Sequence, residues 1–309
     1  MTPGSSTVLG GDGSGDRRER LALASARIPF RLKVAAVWAA IFAVLAFFFW
    51  LSQFDTDWML DNLSFIAAGL RFTIAIALGG IVLAVVLAGL GALGRLSSNS
   101  IAYGVSGFYV SFFRGTPLIV QMFLIYLALP QVASNLVDRF PTIPAEYANW
   151  FILEAAVAGT LALGLNYGAY MTEIFRAGIQ AVAGGQGEAA DALGMTHRQK
   201  MRKVVLPQAF RIIIPPTGNE FIAMMKDTAL VSFLGVTAAS AEIFRRSQLA
   251  GQADIRNLEA YVVAAGLYWA LTALFTVFQA RLEQRVSRGY VRLPGQSAQP
   301  KGQPHGGLP

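Results

Sequence analysis

The stretch Gly187-Glu188-Ala189-Ala190-Asp191-Ala192-Leu193-Gly194-Met195-Thr196-His197-Arg198-Gln199-Lys200-Met201-Arg202-Lys203-Val204-Val205-Leu206-Pro207 is a polar, basic island between two long apolar segments. Glu188 to Leu193 makes barely two helical turns, too few to be stable alone. Gly194 is the natural residue for a left-handed C-terminal cap. Thr196 followed by Gln199 has the capping-box spacing that opens a second helix, expected to run until Pro207. The expected object is a knuckle: a compact helical lug held out from a membrane.

The residue types suit docking to a partner. Ala189 and Ala190 are small enough for a partner surface to approach closely, Glu188 offers a charge to a basic partner, and Gly194 lets the chain turn back at once. A plain basic loop with a capped helix would also account for the Glu-Ala-Ala triplet alone, which is common in helices.

Outside the knuckle, composition sets the class. Of 309 residues 54% are hydrophobic and only 14% charged, with mean hydropathy +0.49, whereas soluble domains carry about 25% charged residues. The chain therefore reads as an all-α, polytopic bundle of about six membrane spans. The net charge of +7 is distributed by topology, so nucleic acid is discounted as a partner. With no cysteine, and His197 and His305 far apart, no metal site is expected.

In chain order, residues 1–33 are rich in Gly, Ser and charge and read as a disordered cytoplasmic tail. Val34 to Leu51 meets the about 17 apolar residues a span requires and is read as an uncleaved first helix, 34–51. Arg17, Arg18, Arg20, Arg27, Arg31 and Lys33 precede it and Asp55, Asp57 and Asp61 follow, which puts the N-terminus in the cytoplasm.

Phe72 to Leu93 returns inward, and its Gly79, Gly80, Gly89, Gly91 and Gly94 are assigned to close helix packing. Ile101 to Phe113 is placed at the inner interface. Thr116 is expected to cap a third span that begins at Pro117 and leads outward. Trp150 to about Phe175 returns, with Trp150 as an interfacial anchor and Gly164 and Gly168 as a GxxxG pair.

A fifth span runs from near Ile212 to about Val236, broken at Pro215-Pro216. Thr237 to Asn257 is an outer segment whose Arg245, Arg246 and Arg256 fit the positive-inside rule poorly. Leu258 to Ala280 is the last span, and Arg281, Arg285, Arg288 and Arg292 hold the C-terminus inside. Residues 293–309 read as a second disordered tail.

The knuckle's spacing is Glu-Ala-Ala, three residues, Gly, nine residues, a branched apolar residue, one residue, then Leu-Pro. It resembles the EAA loop of the membrane subunit of ATP-binding-cassette importers, with Val204 where isoleucine is usual. Arg114-Gly115-Thr116-Pro117, Gln121, Phe123 and Tyr126 resemble the polar amino-acid branch of these permeases. Lys226-Asp227-Thr228-Ala229-Leu230 is similar to that family's Lys-Asp-Thr-Ser-Leu, with Ala229 replacing serine. The likeness covers roughly Gly69 to Arg285, within a permease core expected over 63–285 with its EAA loop at 186–207. The first span lies outside it.

The resemblance implies a type I importer fold with a cytoplasmic coupling helix in a bacterial inner membrane; the charge bias puts both termini in the cytoplasm. It implies that Glu188, Ala189, Ala190, Asp191, Leu193, Gly194, Leu206 and Pro207 engage a separate ATPase subunit, which binds the ATP. A second permease copy or paralogue and an extracytoplasmic substrate-binding protein complete the implied assembly, in contact with membrane lipid. No cofactor is expected on this chain. No GxxxxGK[ST] phosphate loop occurs, so the chain is not expected to bind ATP by itself, and with no Ser/His/Asp or paired-carboxylate arrangement it is not expected to be an enzyme.

Polar residues at membrane depth are the candidates for a translocation path: Gln121, Asn166, Asn219, Glu220, Lys226, Asp227 and Thr228. Lys226 and Asp227 are neighbours in sequence and cannot simply pair on a helix, so either they find separate partners on neighbouring helices or the backbone is locally opened downstream of Pro215-Pro216. Asn219 and Glu220 serve either an interhelical hydrogen bond or the path. For Tyr167 and Tyr170 packing is the expectation, and for Glu173 and Arg176 a local ion pair. The alternatives to an amino-acid importer are an ion-coupled carrier that uses Lys226, Asp227 and Glu220 as a relay, and a permease for another small solute such as an opine or cystine.

Overall fold

A computed structural model of the chain describes residues 29–140, 142 and 144–286. The tail expected over 293–309, and all but the last residues of the one expected over 1–33, lie outside them. Among the described residues every regular element is a helix. The chain divides into two compact units at Thr56/Asp57.

The first unit is α1 (Phe30–Ser52), 23 residues with none buried. It starts four residues before the expected boundary at Val34, because Phe30 to Lys33 continue the helix. An aliphatic and aromatic surface on every face, Trp38, Phe42 and Phe48 among it, is the mark of a helix solvated by something other than water.

The second unit opens with α2 (Thr56–Ala67) and α3 (Leu70–Arg95), which meet at Gly69. Then come α4 (Ser100–Gly115) and α5 (Leu118–Phe123), which passes through a π-turn, Leu124–Ala128, into α6 (Leu129–Arg139). A short 3-10 turn, Ala145–Phe151, leads to α7 (Ala155–Val182). After the knuckle follow α10 (Leu206–Asp227), a 3-10 segment Thr228–Leu234, α11 (Ile243–Ala253) and α12 (Asn257–Val286). The intervening α8 (Glu188–Ala192) and α9 (His197–Lys200) form the knuckle itself.

Among the described residues four stretches, Phe30–Ser52, Thr56–Arg95, Leu118–Arg139 and Asn257–Val286, are long and apolar enough to cross a membrane. α7 and α10, at 28 and 22 residues, have the length for a core of about 30 Å. Their polar and small residues hold them below the same apolarity; α7 sits inside the bundle, whereas α10 is buried only at Ala209, Ile213, Met224 and Met225. α7 is buried at 15 positions, including Asn166 and Thr172.

Among the described residues the α3–α7 contact is the most extensive between any two helices. Its seam is rich in small residues: Ala84 and Ala88 share one buried cluster with Ala158 and Ala162, and Gly164 is buried against Leu83. In lipid such residues bring two backbones close enough for van der Waals contact to hold them. A Cβ on Gly164 would stand 2.6 Å from Leu83 Cδ2, and one on Gly168 2.6 Å from Tyr109 Oη, so the GxxxG expectation holds. It does not hold for every glycine: a Cβ on Gly89 meets nothing within 4 Å.

Several boundaries differ from the sequence reading. Trp150 lies in the 3-10 turn, and α7 begins only at Ala155. α10 is not broken at Pro215-Pro216 but continues through both prolines to Asp227, where it tightens into the 3-10 segment. A long helix packed on α7 and α12 tolerates the lost backbone donors. Thr116 does not cap the helix after it: its Oγ1 donates back to Phe112 O at 2.8 Å, closing α4.

Candidate functional site

The knuckle hangs between two π-helical segments, Ala183–Gly187 and Met201–Val205. α8 has only five residues, so its termini must be satisfied locally. Met195 N–H donates to Ala190 O (3.1 Å) and Gly194 N–H to Asp191 O (2.9 Å), with Gly194 at φ +72°. That is a Schellman cap. The capping box is also present: Gln199 N–H donates to Thr196 Oγ1 (3.4 Å) and Thr196 N–H to Gln199 Oε1 (2.9 Å). Lys200 Nζ then bridges to Asp191 Oδ2 at 2.7 Å, tying α9 to α8.

Eight residues were assigned to the partner contact, and they divide by exposure. Glu188, Ala189, Asp191, Gly194 and Pro207 are exposed, and Leu193 is 81% exposed. Ala190 is buried at 3%, so its small side chain serves packing within the chain rather than approach by a partner. Leu206 is half-buried. The helix opened by the capping box does not stop at Pro207; a π-turn carries it into α10, where proline fits the first turn. Val205, Ala209 and Ile213 pack against Ile179 and Val182 of α7. The knuckle is thus a bare tip on an apolar root shared by α7 and α10.

The seven path candidates do not form one site. Asn166 Nδ2 donates to Gln121 Oε1 (3.1 Å) and to Phe113 O (2.9 Å), while Gln121 Nε2 reaches Phe113 O, Thr116 O and Thr116 Oγ1. This buried latch satisfies carbonyls left open at the C-terminal end of α4. Asn219 turns away from it and accepts from Gln279 Nε2 of α12 at 2.7 Å. Thr228 is fully buried and donates to its own chain at Met225 O.

Of the three that remain, two are acidic. Tyr167 Oη of α7 donates to Asp227 Oδ2 of α10 at 2.8 Å. Glu220 sits two turns before Asp227 on the same face of α10 and is half-buried. Lys226 is exposed, so the adjacent cation and anion point to different surroundings, as their spacing requires. Sequence reasoning left Tyr167 to packing and did not single out Gln279. Neither carries a local signal, since each matters only through a residue some 60 positions away.

Near the knuckle, Arg176 Nη2 pairs with Glu173 Oε2 at 2.7 Å and Arg95 Nε lies 3.4 Å from Glu173 Oε1, joining α3 to α7. The expected local pair is therefore part of a three-residue brace. Arg114 lies over the Tyr170 ring, 5.1 Å from its centroid.

A bundle built on a small-residue seam, with a capped tip on a shared root, can be compared with known proteins. Residues 80–288 match the family of binding-protein-dependent transport system inner membrane components. The chain belongs to that family. This permease is 36% identical over 239 residues to the probable amino-acid ABC transporter permease PatM of Vibrio harveyi, covering 77% of this chain and 99% of PatM. It is 41% identical over 229 residues to the arginine transport system permease ArgU of Corynebacterium glutamicum, covering 74% and 70%. A crystal structure of an amino acid ABC transporter with histidines superposes on the permease with a TM-score of 0.64 at 34% identity, over 75% of this chain and 99% of that one. The ion-coupled carrier falls with this assignment. The permease is an inner-membrane transport component whose α1 precedes the matched region.

Proposed function

We propose that this permease forms half of the translocation path of an importer for polar amino acids and takes its driving force from a separate ATPase at the knuckle. Both termini and the knuckle then face the cytoplasm. A substrate-binding protein delivers solute at the opposite end, and a second permease copy or paralogue closes the path. ATP is bound by the partner, not by this chain. The amino-acid class is supported by the names of the relatives; specificity among amino acids rests with the binding protein.

The observation that carries the reading is the tip and its root. Glu188, Ala189 and Leu193 stand free on a lug stiffened by a Schellman cap, a capping box and the Asp191–Lys200 pair. Its root is packed between α7 and α10, the helices that carry Tyr167, Glu220 and Asp227. A push on the lug is therefore delivered to the acidic spot by packed side chains rather than by a loop. The ATPase must bind the two states of the permease with different affinity, since otherwise nothing is coupled.

Uptake of radiolabelled amino acids into proteoliposomes holding the permease, its ATPase and its binding protein tests this. Wild type should need ATP, and Gly194→Asp should abolish uptake while the complex still assembles. Uptake that persists without the ATPase would refute the reading.

A further inference from the structure

Where α10 and α12 diverge, a groove of about 480 Å³ opens on the side of the bundle. Its floor is Phe221, Ile222, Phe275 and Phe278, and its rim is Arg281 and Arg285. At one end of the groove α10 comes close to α12: a Cβ on Gly218 would lie 2.9 Å from Gln279 Cδ. The two arginines sit at i and i+4 on one face of α12. Both are exposed, and among the described residues neither has an ion pair or a side-chain hydrogen bond. No carboxylate lines the groove. The nearest on the helix, Glu283, accepts from Gln279 Nε2 at 2.8 Å.

We propose that this groove is a binding site for an anionic phospholipid, its phosphate between Arg281 and Arg285 and an acyl chain on the phenylalanine floor. Phe275 and Arg285 are ten residues apart on α12, about 15 Å at about 1.5 Å per residue. That is half of a hydrocarbon core of about 30 Å, the depth of one leaflet. Two like charges one turn apart repel, and an anion between them removes the repulsion. Basic pockets between membrane helices at this depth select anionic headgroups. A second copy of this chain fits less well. A two-fold contact centred on the groove would set Arg281 and Arg285 against their own copies. The site requires that α12 cross a bilayer and does not depend on what the permease carries.

The test is native mass spectrometry of the full-length permease, titrated with phosphatidylglycerol and, separately, with phosphatidylcholine of the same acyl chains. Wild type should retain phosphatidylglycerol in preference. R281Q/R285Q should weaken that retention about thirtyfold and leave phosphatidylcholine unchanged. Lys203→Gln, which removes an exposed cation at the knuckle, should retain the anionic lipid as wild type does. Equal retention of both lipids by wild type, or an equal loss in Lys203→Gln, would overturn the site. So would a disulfide between copies through Phe278→Cys, which would put a second copy in the groove. If R281Q/R285Q unfolds, Phe278→Asp should still expel the lipid while keeping both arginines, and retention by that variant would also sink the idea. Uptake that survives loss of the lipid leaves the proposed function standing.

Discussion

Tyr167 Oη and Asp227 Oδ2 meet at 2.8 Å across α7 and α10, two helices that are separated in sequence by the whole knuckle. The bond lies where α10 stops being an α-helix, since Asp227 is its last residue and Thr228 begins a 3-10 segment. A helix end is where a small rotation of the root can be read out as a change in side-chain position. This contact is therefore the place to look for motion coupled to the knuckle.

Tyr167→Phe removes the donor and keeps the ring. Hydrogen bonds between membrane helices are worth on average about 0.6 kcal/mol, so the melting temperature in detergent should fall only slightly. ATP-driven uptake should fall by much more than the change in folded fraction allows. Unchanged uptake would remove Tyr167 and Asp227 from the mechanism.

Gly194 tests backbone strain without a steric confound, because a Cβ there meets nothing within 4 Å while φ is +72°. Left-handed backbone costs an ordinary residue about 1–2 kcal/mol, and asparagine less. Hydrogen exchange at Leu193 to Thr196 in the permease alone should accelerate in the order Asn, Ala, Val. If valine exchanges as slowly as glycine, the cap does not depend on that conformation.

Two glycines of the α2–α3 region should respond in opposite directions. At Gly69 a Cβ would lie 2.5 Å from Ile243 N and 2.6 Å from Glu242 C, both backbone atoms that cannot swing away. Gly69→Ala should destabilise by about 1–3 kcal/mol, the range for overpacking. Gly89→Ala enters open space within α3 and should be neutral or stabilise by about 0.5–1 kcal/mol. Thermal unfolding of the two variants side by side checks the pair; equal losses would mean that Gly89 is covered by another subunit.

Asn219 and Gln279 should behave as one unit. Replacing each by alanine, singly and together, should reveal a coupling of about 0.6 kcal/mol in stability, typical of such bonds. Asn219 and Tyr167, which share no partner, should be additive. A coupling between Asn219 and Tyr167 as large as that with Gln279 would return Asn219 to the acidic site.

The local objects were legible in the sequence because their causes are local. The Schellman glycine, the capping box and the Glu173–Arg176 pair each depend on residues within about five positions, and all are found. Spans read from apolar runs correspond to helices, though Trp150 and the start of α1 show how weakly such runs define an end. Pro215-Pro216 misled the reading because a helix held by neighbours on several sides keeps its course without two of its backbone donors.

Sequence by itself determined that this is a multi-span helical membrane protein with a doubly capped helical knuckle, since hydropathy, charge placement and capping chemistry are written along the chain. Only the tertiary structure decided which polar residues belong together. Gln121 and Asn166 went to a latch on the end of α4, Asn219 to Gln279 on α12, Ala190 to the interior of the knuckle, and Tyr167 to Asp227. The reason is geometric: which face of a helix a side chain occupies follows from spacing, but which neighbour stands opposite that face is set by how the small-residue seam of α3 and α7 lets the bundle close.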